Sequence, residues 1–369
     1  MRRASVVLAI AAAAGLSHAA RAQAPTAVAG IESRGYFFRP GVGARTVAQV
    51  TVPLVVVVPV GGDFTADIGT RWAYTRLTAY SGTSEDLSGL TDTELRLGYA
   101  IGRDAAMLSL VANLPTGRHT VSSDKFAVIS SLGSDFLTLP VSSYGSGTSL
   151  TGGLAAARQL GGVNLGFGAS ARWTGSYSPF SDQVLEYKPG LETRFQLAGD
   201  GLLGSGRLTA GITYSTFGSD NFTSAAASAT VSQAYAPGAR IITELSYATR
   251  LGSGTVRVFG WDFLRSAGAT GGATLDGTKE NIANLGLTWR VPAGSGITLT
   301  PGTEFRTWSQ GGTNAGQLGS LMLTADISAP ADLTLQASAR SDWGFIVASA
   351  GDHITTQGWG FTLLLRRQF

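Results

Sequence analysis

The sequence predicts an all-β membrane protein, an antiparallel up-and-down transmembrane β-barrel of about sixteen strands, with fourteen as the alternative count. Three observations carry this. Apolar and polar residues alternate with a period of two in one segment after another. Short and long connections alternate along the chain, the pattern of a sheet with plain hairpins at one rim and elaborate loops at the other. Charges inside the strands fall on the polar parity and are of mixed sign, which suits a confined wet interior better than a face turned to bulk water.

The elements follow in order. "MRRASVVLAIAAAAGL" sets Arg2 and Arg3 before an apolar run that is shorter than the ~20 residues of a spanning helix, and "AARAQAP" offers small-x-small cleavage sites. This reads as a signal peptide over 1–22, cut after Ala22, with the barrel occupying 23–369. Strands are expected near 28–39, 45–59, 63–80, 91–101, 105–114, 149–160, 162–174, 184–198, 205–217, 238–251, 254–265, 279–291, 296–309, 317–329, 332–345 and 357–369. The short connections include "VGGD", "GRDA", "GDGLLG", "GSG", "AGSG" and "PAD". The long ones are 81–90, 115–148, 218–237, 266–278 and 346–356. "VTVPLVVVVPVG" is β-branched and interrupted by Pro53 and Pro59, so it reads as strand and not as helix.

The two faces of each strand separate cleanly. In "LTLQASARSDWGF" Leu333, Leu335, Ala337, Ala339, Trp343 and Phe345 oppose Thr334, Gln336, Ser338, Arg340 and Asp342. In "DFTADIGTRWAY" Phe64, Ile68, Trp72 and Tyr74 oppose Asp67 and Arg71, and in "TDTELRLGYAI" Leu95, Leu97, Tyr99 and Ile101 oppose Asp92, Glu94 and Arg96. Strand 254–265 is the exception: Arg257 and Arg265 share parity with Phe259, Trp261 and Phe263, and arginines there are expected to reach from the strand ends toward the interfaces. Tyr36, Phe37, Tyr80, Trp173, Trp289, Trp308, Trp343 and Trp359 gather near strand ends, as girdles at the two membrane surfaces would.

Composition excludes several function classes. There is no cysteine, so neither disulfides nor thiolate metal sites are available. A net charge of +3 over 369 residues is no nucleic-acid footprint. Glycine, at 50 residues, is about twice its usual share but has no collagen period, and aromatics are plentiful, so the chain is not disordered.

Motifs with chemical potential are few. "GDGLLG", Gly199 to Gly204, has the letters of a dinucleotide fingerprint, but a strand follows where a phosphate-binding helix is needed, so a turn is expected. His119 and His353 fall in outer loops, and no spacing pairs either with a serine such as Ser122 or Ser123 in a hydrolase arrangement. Asp182, Asp220, Asp276 and Asp352 are scattered and do not form a calcium loop. No catalytic residue, cofactor site or metal site is expected, and the chain is not expected to be an enzyme. The longest connection differs from the others. In "SSDKFAVISSLGSDFLTLP" Phe126, Ile129, Leu132 and Phe136 recur at three to four residues, and Ser123 or Asp124 is placed to cap a short helix. Two readings stay open: an amphipathic outer loop packed on its neighbours, or a loop folded into the barrel as a constriction lined by these four residues.

The chain ends "GWGFTLLLRRQF", with Trp359, Phe361, Leu363, Leu365 and Phe369 on one face. This resembles bacterial outer-membrane β-barrels, whose last strand commonly ends in an aromatic residue read by the barrel assembly machinery. The resemblance implies an outer-membrane location, outer-membrane lipid as partner, and Phe369 as the assembly terminus. Arg367 departs from the apolar residue usual two places before the end. "LSGLTDTELRLGYAI", "LVANLPTGRHTVSSD" and "LPVSSYGSGTSLTGGLAAARQLGGVNLGFGASARW" are similar to the MetA-pathway phenol-degradation family, with its "GLxD" strand start, "LPTG" strand end and following "GxG". That similarity covers roughly 90 residues and implies passive uptake of small hydrophobic or aromatic compounds through a porin-like channel. A barrel serving structure or surface interaction, and less favourably a barrel lipid hydrolase, are the alternatives. The lumen charges are expected to be Asp67, Arg71, Glu94, Arg96, Arg172, Glu192, Arg194, Glu304, Arg306, Asp326, Arg340, Asp342 and Arg366.

Overall fold

The computed structural model describes residues 25–369 except 103–104, 227–228 and 349–350, with side chains undescribed at 225–232. The expected signal peptide lies outside the described residues, as does the middle of the "GRDA" turn. The strands are β1 (Thr26–Phe38), β2 (Ala44–Gly61), β3 (Phe64–Ala79), β4 (Ser84–Leu90), β5 (Thr93–Ile101), β6 (Ala106–Leu114), β7 (Ser149–Leu160) and β8 (Val163–Thr174) in the first half. Then come β9 (Leu185–Lys188), β10 (Glu192–Leu203), β11 (Gly206–Phe217), β12 (Asp220–Ala226), β13 (Ala229–Ala236), β14 (Arg240–Leu251) and β15 (Gly254–Arg265). The chain finishes with β16 (Gly268–Thr270), β17 (Ala273–Leu275), β18 (Glu280–Gly294), β19 (Ile297–Gln310), β20 (Thr313–Ala329), β21 (Leu333–Val347) and β22 (His353–Gln368).

Seventeen of these form one antiparallel sheet. β4 and β5 are two halves of a single stave, since both pair with β3, at Trp72–Thr78 and Phe64–Gly69 respectively. The barrel therefore has sixteen staves. It closes where β22 pairs with β1, from Thr26↔Gln368 to Phe38↔Thr356. Closure gives every stave two neighbours and leaves no hydrogen-bonding edge, which is what allows strands to cross lipid.

Alternation then sets the two faces. Leu54, Ile68, Leu97, Leu110, Phe167, Phe195, Leu245, Leu285, Phe305, Leu321 and Phe361 all point outward and are exposed. They form the apolar belt that lipid covers. Trp173, Trp289, Trp343 and Trp359 join Phe37 and Tyr80 as outward aromatics. A closed barrel with this belt, short turns at one rim and long loops at the other is an outer-membrane protein of bacteria.

Five expectations need correction. The segment read as one strand over 184–198 is two elements: β9 leaves the barrel, and the stave is β10. Its partner register runs to Leu203↔Gly206, so the turn is at Gly204 and Ser205, with Gly204 at φ +60, and the first part of "GDGLLG" is strand. The connections 81–90, 218–237 and 266–278 are not plain loops. They hold β4, the β12–β13 hairpin and the β16–β17 hairpin. β9, β12, β13, β16 and β17 build a separate five-stranded sheet beyond the outer rim. Its sequences, such as "DNFTSAA", lack apolar alternation because neither face enters lipid. Tyr36 and Trp308 do not belong to the girdle. Tyr36 is fully buried, and Trp308 packs against the buried core. The inward row of β15 is Arg257, Phe259, Trp261, Phe263 and Arg265, with Val258 outward and exposed; the register pairs Trp261 with Glu244 and Asn284, and Phe263 with Ile242 and Ile282.

Candidate functional site: the lumen and its inserted segment

The connection 115–148 turns back into the barrel. It begins with a 3-10 turn (Ser123–Lys125) and helix α1 (Phe126–Leu132). Neither Ser123 nor Asp124 caps that helix. Its N-cap is Lys125 without a side-chain bond, and Ser123 instead donates from its amide, at 2.9 and 3.1 Å, and its hydroxyl, at 2.6 Å, to the Asp182 carboxylate. Those donors hold Asp182 below the usual carboxylate range, and the Ser122 hydroxyl does the same for Asp124.

Beyond the helix the segment crosses to the wall and is pinned. The Phe136 ring is fully buried and stacks on Trp308 with centroids 5.3 Å apart. Arg306 Nη1 donates to the Phe136 carbonyl at 2.7 Å, and the Tyr36 hydroxyl donates to the Leu137 carbonyl. Gln49 makes a reciprocal pair with Val141: its Nε2 donates to the carbonyl at 2.9 Å and its Oε1 accepts from the amide at 2.7 Å. Tyr144 donates to the Leu87 carbonyl at 2.7 Å. Asp135 faces Arg265 at 3.6 Å. Glycine makes room for this docking, since a Cβ on Gly316 would stand 3.1 Å from the Phe136 ring and 2.9 Å from the Phe345 carbonyl oxygen. The ends of the segment meet at Asp92, whose carboxylate accepts from Gly117 N at 3.1 Å and Ser146 N at 2.7 Å. These contacts fall on the contiguous wall from β15 through β22 and β1 to β4, so the segment narrows the barrel from one side.

Below it lies a cavity of about 1880 Å³ that reaches the short-turn rim at Gly61, Gly62 and Asp63. Seven arginines and eight carboxylates line it, among them Asp67, Arg71, Glu94, Arg96, Arg172, Glu192, Arg194, Arg340 and Arg366 from the expected set. Asp342 is buried, and Glu304 and Arg306 face inward within the same wall. Asp326 faces inward and accepts from Gln336 at 2.8 Å. The charges are arranged as pairs. Arg71 meets Glu32 at 2.7 Å, Arg96 meets Glu94 at 2.6 Å and Arg194 meets Glu192 at 3.0 Å. A longer chain runs from Arg34 to Asp342 at 2.9 Å, Asp342 to Arg340 at 2.7 Å, Arg340 to Glu304 at 2.8 Å and Glu304 to Arg306 at 3.6 Å. Tyr36 and Ser320 complete this network, the hydroxyl of Ser320 donating to Asp342 at 2.5 Å.

The four residues expected to line a constriction are placed differently from one another. Phe126 is 58% exposed and tilts against Phe180, away from the lumen. Ile129 is partly buried against the core, and Phe136 is buried between segment and wall. Leu132 reaches the cavity, together with Asp135, Thr138, Leu139, Val141 and Ser143. Asp92, on the expected polar face of "TDTELRLGYAI", joins the lumen set, as do Glu32, Arg34 and Asp135, which were not singled out; Glu32 and Arg34 were visible in the alternation of "GIESRGYFF". Gln49 was not singled out and Tyr36 was expected in the girdle; that both hold the segment depends on distant partners, Val141 and Leu137. His119 packs edge-on against Tyr177, and His353 stacks on Phe345, so the two histidines belong to separate aromatic contacts.

The chain matches no family model, and no curated protein matches it in sequence. Solved structures of similar fold include OmpTΔL8, a loop-deletion form of an outer membrane protein of Vibrio cholerae, at 9% identity and TM-score 0.45, covering 94% of this chain and 100% of that one. The outer-membrane-expressed OmpT of the same organism follows at 8% identity and TM-score 0.43, covering 95% and 100%. A mutant form of the Rh. blastica porin is 15% identical with TM-score 0.38, covering 91% and 99%.

Proposed function

We propose that this outer-membrane barrel is a passive channel for small hydrophobic or aromatic compounds, sieved by the inserted segment. The observation that carries the reading is the pinning of 132–145 inside the barrel. A lumen ringed by sixteen strands is wide enough for an aqueous path, and a segment held there by a stacked aromatic and several buried hydrogen bonds sets the width of that path. The substrate class is supported by the uncharged part of the lining. Val55 and Val57 of β2, Met107 and Val111 of β6, Ile242, Met322, Leu132 and Leu139 give apolar surface between charges many of which are paired. The similarity of the N-terminal half to the MetA-pathway phenol-degradation family points the same way. No energy-coupling motif is visible, so flux follows the concentration gradient and no catalytic step is assigned.

The test is planar-bilayer conductance and solute flux of refolded protein, with and without residues 123–139 replaced by a short Gly/Ser linker. The replacement should raise single-channel conductance and erase any preference for aromatic solutes. Wild-type values after replacement would remove the segment as the sieve. A wild-type barrel that conducts nothing would favour the surface-interaction reading, with the five-stranded outer sheet as its contact surface; lipid hydrolysis by the same preparation would favour an enzyme.

A further inference from the structure

Three exposed arginines cluster on neighbouring staves at the outer rim, Arg39 and Arg76 on the lipid side of the wall and Arg45 at a bulge between them. Arg39 follows the outward Phe37 by two residues at the end of β1. Arg45 lies at the register shift between Ala44 and Thr46 of β2. Arg76 is on β3, on the same parity as Trp72 and Tyr74, and its register partner on β2 is Ala48. All three are exposed. The carboxylate nearest in register is Asp86, directly across from Arg76 on β4, yet the two form no ion pair. Among the described residues none of the three arginines makes a side-chain hydrogen bond or salt bridge. This contrasts with the lumen, where arginine after arginine has a carboxylate within 3.0 Å.

Their position selects a ligand. Below them on the same three staves the wall is apolar and exposed: Ile31, Val52, Leu54, Ile68 and Trp72. Hydrocarbon chains cover that surface. The arginines stand at the level where the head groups of those chains lie. Three unpaired guanidiniums above an acyl-binding face complement an amphiphile with several fatty chains and a phosphorylated head. Guanidinium is the side chain best matched to phosphate, through its fork of donors. We propose that β1–β3 form a docking surface for a phosphorylated glycolipid of the outer leaflet, with Arg39, Arg45 and Arg76 binding its phosphates. A free phosphate would use the guanidiniums but leave the apolar face without a role, so the lipid-borne group is the one the wall fits.

The experiment uses the refolded full barrel in detergent micelles and measures saturable binding of bisphosphorylated lipid A by native mass spectrometry. Each arginine changed to glutamine should lower affinity about fivefold, the value of roughly 1 kcal/mol per basic residue near an anionic surface, and R39Q/R45Q/R76Q together about a hundredfold. Lipid A stripped of both phosphates should bind the wild type no better than the triple variant does. A triple change at the opposite, periplasmic rim, R158Q/R250Q/R290Q, should leave binding unchanged. Unaltered affinity in R39Q/R45Q/R76Q overturns the proposal, as does equal loss in the rim control. Full competition by millimolar inorganic phosphate would overturn the choice of a lipid. Heat-modifiable migration on gels reports folding of each variant. If the triple change does not fold, R76Q alone carries the test, with R76K expected to restore most of the binding.

Discussion

Single side chains decide where the inserted segment rests. Gln49 is fully buried and saturates both the amide and the carbonyl of Val141. Gln49→Ala leaves two buried backbone groups unpaired, at a cost of about 1–3 kcal/mol, so the segment should loosen. Single-channel traces of the variant should flicker between conductance levels where the wild type is quiet; equally quiet traces would show that the pair is dispensable. A second residue-scale prediction concerns pH. Asp182 is held below its ordinary range by Ser123, so the contact contributes above the unfolded value and is lost as pH falls through the depressed folded one. Proteolysis within 118–126 should therefore accelerate on acidification, and Asp182→Asn should be fast at every pH. The same scale explains what the sequence showed and what it hid. Arg71, Arg96 and Arg194 were legible as lumen residues because period-two parity fixes a side chain's face before any partner is known. Tyr36 and Trp308 obey parity too, but aromatic type near a strand end suggested a girdle. Parity already turns both inward; the contacts that bury them there, with the carbonyl of Leu137 and the ring of Phe136 a hundred or more positions away, are what no local pattern encodes.

At the scale of elements, staves with one lipid face and one wet face were legible nearly to the residue, as β7 at 149–160 and β15 at 254–265 show. Elements outside the lipid were not. β12 and β13 are short and rich in alanine, serine and threonine, since neither face needs an apolar row. The mixed row of β15 has a related origin: Phe263 is only 7% exposed because it belongs to the core into which Phe136 docks, so an apolar row there faces protein and not lipid. Two predictions belong here. Phe361→Arg puts a charge on the lipid face of β22, at a cost of about 2–4 kcal/mol near the midplane, and should deplete heat-modifiable folded barrel. Thr362→Arg, one residue on and lining the cavity beside Glu32, should be tolerated; equal losses would contradict the assigned faces. Deleting Phe369 should lower membrane insertion and leave export intact. The residue's amide donates to the Pro25 carbonyl at 2.9 Å across the closing seam, while its ring is exposed. Outer-membrane levels equal to wild type would remove it as an assembly signal.

For the molecule as a whole, the balance of lumen charge is what would set the selectivity of the proposed channel. Guanidinium and carboxylate in nearly equal number, mostly in contact, present little net field to an ion. Reversal potentials in a potassium chloride gradient should lie near zero. Glu32→Gln with Glu94→Gln frees Arg71 and Arg96 without touching the buried Asp342 network, and should move the potential toward anion selectivity. A potential that does not move would mean that these arginines lie off the ion path.

The clamp at Asp92 bears on how such a molecule is made. The chain leaves β6 and returns to β7 at paired residues, Asn113 opposite Ser149, and one carboxylate gathers both ends of the excursion between them. An excursion that departs and returns at one place can enter through the open mouth as a doubled thread. No other strand need be passed around it. The wall can zip shut along β1 and β22 while still hollow and receive its filling afterwards, so the closing of the cylinder and the fitting of its insert are separable events. The insert is thus a replaceable part, and its length and composition can change without disturbing the order in which the staves meet.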